Sequence, residues 1–246
     1  MTVNTLLPFL STAMMLVFCV MVLRRFFVRR SLHFLFWGIG LLMFSIASFA
    51  EAYLTLAWNR WAFFSWYFFG AALNAAWIGQ GTLYLLFSRR RVLLLTALLL
   101  LGSLAALVLM LRVMPFLDET RFASTMPISE QYSSIMPPAR AGATIRLATP
   151  FFNIYGVVAL VGGALWSSYL FWRKRVLPNR VIGNLLIAAG ALVISFASVL
   201  TRMGFGAWLY LSELLAAGLL FAGFLVAPGF GRDELTAASR SRPSAE

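Results

Sequence analysis

Long apolar runs alternate along this chain with short polar breaks, and the runs have bilayer length. Seven of them lie near residues 5 to 23, 33 to 57, 61 to 87, 92 to 114, 148 to 171, 181 to 201 and 207 to 227, each bounded by arginines, aromatics or turn residues. An apolar stretch of about 18 residues suffices for a spanning helix. The pattern therefore predicts an all-α polytopic membrane bundle of seven transmembrane helices, occupying residues 1–228. Polar sequence collects in two places. The 115–147 connection is proline-punctuated with charges of both signs, and a connection of that length without periodic structure is either a functional lid or a tolerated surface loop. Residues 229–246 read as a disordered cytoplasmic tail. No appended soluble domain is expected, so any activity should come from the helices or from a membrane partner subunit.

Composition agrees with the bilayer reading. The chain is 61% hydrophobic and 11% charged, where a soluble domain carries about a quarter charged residues. In the first run the basic cluster "RRFFVRR" follows the apolar core, whereas a signal peptide carries its charge before the core. That segment is expected to stay as an anchor. Cys19, inside it, reads as a small buried hydrophobe.

The net charge of +12 raises the question of nucleic acid, and its distribution answers against it. Arg24, Arg25, Arg29 and Arg30 follow the first run, and Arg89, Arg90 and Arg91 the third. Arg173, Lys174, Arg175 and Arg180 separate the fifth from the sixth, and Arg232, Arg240 and Arg242 lie in the tail, so fourteen of the twenty basic residues fall on one side. The positive-inside rule makes that side cytoplasmic, with the N-terminus outside and the C-terminus inside. The clusters should also attract anionic lipid head groups, by about 1 kcal/mol per residue.

An internal similarity links "GLLMFSIAS" (40 to 48) in the second run with "GALVISFAS" (190 to 198) in the sixth. These two helices run in the same direction, as a three-plus-one-plus-three duplication of the kind found in some transporters requires. Chance matches are frequent in the small membrane alphabet, so duplication and coincidence both stand at this point.

Two acids lie within the runs, Glu51 and Glu213. A charged residue at a membrane helix centre costs about 2.5 to 3.5 kcal/mol on insertion scales and usually faces the bundle interior with a partner. Counting about 1.5 Å per residue, both acids come out about 9 Å below the outer boundary. Asn153 and Tyr155 in the fifth run, Trp66 and Tyr67 in the third, Tyr210 in the seventh and Arg202 at the outer end of the sixth fall near that depth. The expected ligand-binding set is these residues together with Asn74, which sits on a polar and glycine stripe of the third run with Trp77 and Tyr84. Arg202 is a candidate bidentate partner for Glu213 across "MGFG", and Glu51 then needs a donor such as Asn153, Tyr67 or Tyr210. In the sixth run Asn184, Ala188, Ala191, Ser195 and Ser198 make a small-residue stripe suited to close helix packing.

Other chemistries are excluded by count. One histidine, His33, and one cysteine leave no zinc site of the usual ligands and no bis-histidine haem. The sole lysine, Lys174, sits in a loop, so no retinal Schiff base can form in the bundle, and "GIG" at 38 to 40 lacks the strand-then-helix context of a phosphate loop. No cofactor and no catalytic constellation are expected.

The segments "WYFFGAALNAAWIGQGTLYLL" (66 to 86), "TPFFNIYG" and "LPNRVIGN" within 146 to 192, and "LSELLAAGLLFAGFLV" (211 to 226) resemble a group of bacterial integral membrane proteins common in Chloroflexi. The resemblance covers most of the chain and implies a bacterial cytoplasmic (inner) membrane location. The layout is also similar to the membrane sensor modules that precede some histidine kinases. The expected function is a sensor-like or accessory ligand-binding subunit, taking a small molecule or lipid in a polar pocket of the outer half. A small carrier of three-plus-one-plus-three type is the alternative, and an intramembrane enzyme acting on lipid comes third.

Overall fold

Backbone polar groups in hydrocarbon must be satisfied within the segment, which favours helix. In the computed structural model, which describes residues 3–136, 141–173, 178–202 and 208–226, no strand occurs among the described residues. Side chains are described throughout these ranges except at residues 3–5, 141, 178 and 198–202. The 229–246 tail and the expected Arg202–Glu213 pairing therefore lie outside the described residues.

The elements are α1 (Val3–Arg29), α2 (Leu32–Leu54), α3 (Arg60–Ser65), α4 (Asn74–Leu86), α5 (Arg89–Val113), α6 (Ile128–Ile135), α7 (Ala141–Val157), α8 (Gly163–Arg173), α9 (Pro178–Arg202) and α10 (Leu209–Val226). Wide π-helical turns at Trp66–Leu73 and Val158–Gly162 join α3 to α4 and α7 to α8 into two continuous rods. Among the described residues six helices are long and apolar enough to cross a membrane: α1, α2, α5, the α7–α8 rod, α9 and α10. Seven were expected. The α3–α4 rod has the length but not the same apolarity, because Asn74, Gln80 and its tryptophans and tyrosines dilute it. Large apolar side chains are widely exposed, Leu101 at 65% and Phe151 at 75% among them. Soluble monomers rarely expose such contiguous surface, and a multi-pass membrane protein presents it to lipid.

Local sequence sets the turns. Arg30 adopts a left-handed backbone (φ 51°) and its N–H donates to Phe26 O at 2.7 Å, ending α1 and reversing the chain into α2. The Asn59 side chain accepts from Trp61 and Ala62 N–H at 2.8 and 3.0 Å, starting α3. In the ring that results, α1, α2, the α3–α4 rod, the α7–α8 rod, α9 and α10 each pack on the next, and α10 returns to α1. The remaining long apolar helix, α5, lies outside this ring against α4 and α7.

The similarity between the second and sixth runs extends into packing. A Cβ on Gly40 would meet Asn74 O, Ile78 N and Ile78 Cγ1; one on Gly190 would meet Ala216 O, Leu220 N and Leu220 Cγ. The correspondence holds atom by atom. One turn further in, Gly81 abuts Trp37 and Gly223 abuts Ile187, positions in register with the first match. Ser45 and Ser195, equivalent in the two segments, each donate to the carbonyl four residues earlier, at 2.9 and 2.7 Å. The α2/α4 and α9/α10 pairs thus use one contact scheme, as a duplicated three-helix unit does.

The 115–147 connection corrects the expectation of a stretch without periodic structure. It folds through 3₁₀ turns at Met114–Phe116 and Glu119–Arg121 into α6, and α7 begins at Ala141 rather than near 148. Ile128, Gln131 and Ile135 follow helical spacing and are buried. The Gln131 side chain accepts from Ala123 N–H and donates to Ala123 O and Met126 O, all at 2.8 Å. Asp118 accepts from the Thr120 hydroxyl at 2.6 Å, and that bond, with the Thr120 amide and Arg121, holds its carboxyl below the usual range. Too few apolar positions between Pro127 and Pro137 made the pattern easy to miss.

Adding a methyl at a backbone contact is expected to destabilise by about 1–3 kcal/mol. Gly40→Ala and Gly190→Ala should each lower the melting midpoint in detergent by about 3–9 °C. Gly162→Ala, with nothing within 4 Å of the new Cβ, should not. A melt series of the three variants checks the set.

Candidate functional site

The two intramembrane acids meet. Glu51, three residues from the end of α2, is 3% exposed, and its carboxyl lies within hydrogen-bonding reach of Glu213, four residues into α10. Two carboxylates are acceptors only, so a hydrogen bond between them exists only when the pair carries a proton. The Glu51 Oε1 atom is buried and has no hydrogen-bond partner among the described residues. Buried Tyr210 stands within electrostatic range of Glu51, Glu213 and Glu130, the last in α6. Helices of the first and last thirds of the chain thus bring acidic groups together at one end of the bundle.

The other expected residues divide into separate groups, which corrects the single polar layer drawn from depth alone. Trp66 and Tyr67 do not present a free wall: both contact Tyr132 of α6, at 6.0 and 5.8 Å between ring centroids, and the Tyr67 hydroxyl bonds Thr149 Oγ1 at 3.2 Å. Asn153 donates to Ala71 O, in the wide turn, at 2.9 Å, tying α7 to the α3–α4 rod. Beside it Gly79 and Gly156 bring those rods into backbone contact. Asn74 is partly exposed, and Trp77 and Tyr84 from its stripe stack on Phe36 at 5.6 and 5.0 Å, filling the space in which a cavity was expected.

Tyr155 belongs to a third group, centred on a residue that sequence reasoning missed. Gln80 is 0% exposed; its amide donates to Thr96 Oγ1 at 2.7 Å and accepts from the Tyr155 hydroxyl, while Tyr84 also bonds Thr96 at 2.7 Å. The signal was available, since Gln80, Tyr84 and Thr96 are polar residues in apolar runs, and inside a membrane such groups need one another.

A cavity opens at the opposite end of the bundle from the acids. It is partly open to the surroundings and lies between α1, α2 and α4 on one side and α8, α9 and α10 on the other. Three pairs of its lining residues, Trp37 with Ile187, Ile78 with Leu220 and Thr82 with Phe224, are equivalent under the glycine register above. Its polar groups are paired: Trp37 Nε1 donates to Thr82 Oγ1 at 3.2 Å, and Asn184 Nδ2 to Ser167 Oγ at 2.9 Å.

Compared with known proteins, the chain matches no family model, no curated protein and no solved structure. Functional inference therefore rests on these residues alone.

Truncating Gln80 takes away the Tyr155 hydroxyl's partner in an apolar interior and leaves Thr96 bonded to Tyr84 and the Val92 carbonyl, and an unmet buried polar group costs about 1–3 kcal/mol. Gln80→Leu should lower the melting midpoint by about 3–9 °C. Removing Tyr84's hydroxyl in the same background (Tyr84→Phe) should add less than it does alone, which a double-mutant melt cycle measures.

Proposed function

We propose that this chain is a small carrier of the three-plus-one-plus-three type, spanning a bacterial inner membrane seven times with its basic end cytoplasmic. The supporting observation is the lining of the cavity: equivalent residues of two equivalent helix pairs face each other across it, and α5 stands outside as a linker would. Parallel repeats related by an axis along the membrane normal build several transporter folds, with substrate held between the halves. Counting the α3–α4 rod as a span gives the odd number that puts N- and C-termini on opposite sides. The arginine clusters at the ends of α1 and α8 and the starts of α5 and α9 supply the orientation.

In this reading Glu51 and Glu213, one from each half, latch the outer end while the inner end stands open. The latch is a proton-bearing carboxyl pair, so opening it changes the pair's hydrogen bonding and admits a cation or a donor to the Glu51 Oε1 position. Closing the basic end then exposes the substrate to the other side. Even a latch worth about 1.4 kcal/mol changes the ratio of two states tenfold.

A second reading, a sensor-like or accessory subunit, draws support from α6, whose Glu130 lies within electrostatic range of Tyr210 beside the acids. Reconstitution separates the two, because a subunit moves nothing across a liposome. Cysteine accessibility tests the latch directly. In a Cys19→Ser background, Ser48→Cys, one turn from Glu51, should resist a membrane-impermeant thiol reagent, and Ile187→Cys should react from the basic side. Adding Glu51→Ala and Glu213→Ala should expose Ser48→Cys from the outer side and protect Ile187→Cys. Unchanged labelling at both positions in the folded double variant removes the latch and the carrier reading with it.

A further inference from the structure

We infer that the Glu51–Glu213 pair binds one sodium-sized monovalent cation, seated between α1, α2 and α10 with the carboxylates and the Ser11 hydroxyl among its oxygen donors. The inference deepens the latch reading above: it rests on that reading for movement, while binding rests on the oxygens of the three helices.

Buried polar atoms in folded proteins find hydrogen-bond partners, and an exception calls for an occupant or a use. Among the described residues two such exceptions lie in membrane-spanning helices, Ser11 Oγ in α1 and Glu51 Oε1 in α2, and both residues are almost wholly buried, at 0% and 3% exposed. The other two, on Trp58 and Ser129, lie in the α2–α3 turn and in α6. Thr12 satisfies its hydroxyl on the Pro8 carbonyl at 2.8 Å, whereas Ser11 beside it makes no such bond.

Helix geometry aims Ser11 at the acids. In α1, Leu7, Met14 and Phe18 meet α10, at Leu209 and Tyr210, at Gly218 and at Phe221. Pro8 and Cys19 meet α2, at Ser48 and Gly38, through bonds of 3.2 and 3.3 Å. With 3.6 residues per turn, Ser11 points between these two directions, into the seam that Glu51 and Glu213 join. The same contacts run α1 antiparallel to α2 and parallel to α10, which sets Ser11 about 2 Å inward of Glu213 and about 8 Å inward of Glu51 at 1.5 Å per residue. Cα–Cβ bonds lean toward the helix N-terminus, so Ser11 leans outward and Glu51 inward, toward each other. Ser48, between them in level, commits its proton to Pro8 O and keeps lone pairs for a cation.

Charge sets the valence. The hydrogen bond between the two carboxyl groups requires one proton, so the bonded pair carries one negative charge in an apolar interior. A monovalent ion cancels it and leaves the shared proton in place, and a pair that starts doubly protonated releases one proton as the ion enters. Raising the pH therefore favours the ion. Tyr210 on α10 stands within range of both acids and of Glu130 on α6. The α3–α4 rod brings Tyr67, bonded to Thr149, and α1 carries no charged residue from Val3 to Leu23. From α9 comes Arg202, whose side chain lies outside the described residues.

Retention of radioactive sodium by the full chain in detergent, at constant ionic strength made up with choline chloride, tests the assignment. The expected result is one sodium ion per chain, held more weakly by up to about tenfold per unit of acidification, and a higher melting midpoint when sodium replaces choline. Ser11→Ala loses no hydrogen bond, so it should melt as the wild type does while binding sodium about fivefold more weakly. Glu51→Gln, which keeps the shape of the side chain, should weaken binding by at least about tenfold. No retention by the folded wild type at any pH, wild-type retention by folded Ser11→Ala, or displacement by an equal concentration of calcium overturns the inference. So does retention that appears only in Arg202→Gln, which identifies that guanidinium as the occupant. Sodium bound one-to-one while the cysteine labelling stays unchanged in the Glu51→Ala, Glu213→Ala variant supports the site and overturns the carrier reading alone; labelling that shifts as expected with no sodium bound does the reverse.

Discussion

Backbone contact between neighbouring helices, permitted where glycine supplies no Cβ, is the constraint on which this bundle depends. Lipid tails are as apolar as leucine, so hydrophobicity does not draw one helix to another within a bilayer, and association falls to van der Waals packing and interhelical hydrogen bonds. Gly40 against Asn74 and Ile78, Gly190 against Ala216 and Leu220, and Gly156 against Ala75 are such contacts. They fix α2 on α4, α9 on α10 and the α7–α8 rod on the α3–α4 rod. Hydrogen bonds then specify register where glycine permits approach, as Asn153 does by capping the Ala71 carbonyl beside the Gly79–Gly156 crossing. The wide turns at Trp66–Leu73 and Val158–Gly162 belong to the same junction. A π turn displaces every residue beyond it around the helix axis, and it is retained where that displacement serves packing or function.

Much of this architecture was legible because glycine, serine and arginine carry strong meaning in apolar sequence. The arginine clusters mark the helix ends, and the nine-residue match at 40 to 48 and 190 to 198 marks two glycines and two serines that do the same work in space. Glu51 and Glu213 were found from depth alone, because depth follows from counting residues along two helices that start from opposite faces. Depth does not give azimuth. Asn153, Tyr155, Trp66 and Tyr67 lie near enough to the same level, yet each points to a different neighbour, and no periodic rule states which face of a rod meets which other rod. The wide turns add to the difficulty by shifting face assignments within the α3–α4 and α7–α8 rods. Gln80 was passed over for a related reason: its partners Thr96 and Tyr155 come from separate runs, and only the assembled ring brings them within reach. The cap helix α6 stayed hidden because its buried face is three residues wide.

The two ends of the bundle have opposite character, and this polarity connects fold with function. At one end the acids of α2 and α10 meet, and α1 closes against α10 through the cluster that joins Leu7 to Leu209 and Tyr210. At the other end the helices separate around an apolar space, with Arg25 stacked over Phe224 of its lining. A rigid scaffold would gain nothing from a buried carboxyl with an unmatched oxygen; replacing Glu51 and Glu213 by leucine would pack as well without placing a polar group in hydrocarbon. Their presence makes sense if the contact must break. A hydrogen bond that depends on one shared proton is made or lost with that proton, whereas a leucine contact persists under all conditions.

Glycine contacts of one geometry hold α2 on α4 and α9 on α10, and a further one, Gly156 on Ala75, ties the α7–α8 rod to the α3–α4 rod, whereas the acidic pair joins α2 to α10. Contacts such as Gly40–Ile78 and Gly190–Leu220 hold α2 to α4 and α9 to α10 in dense packing that tolerates little sliding. Between α1–α4 and α8–α10 the cavity stands at one end and the Glu51–Glu213 pair at the other, while Gly163 on Thr82 and Phe18 on Phe224 keep the two groups in contact beside the cavity. The Asn153–Ala71 and Gln80–Tyr155 bonds and the Gly156–Ala75 contact also join the α3–α4 rod to the α7–α8 rod, so any change in the cavity must leave this central junction intact.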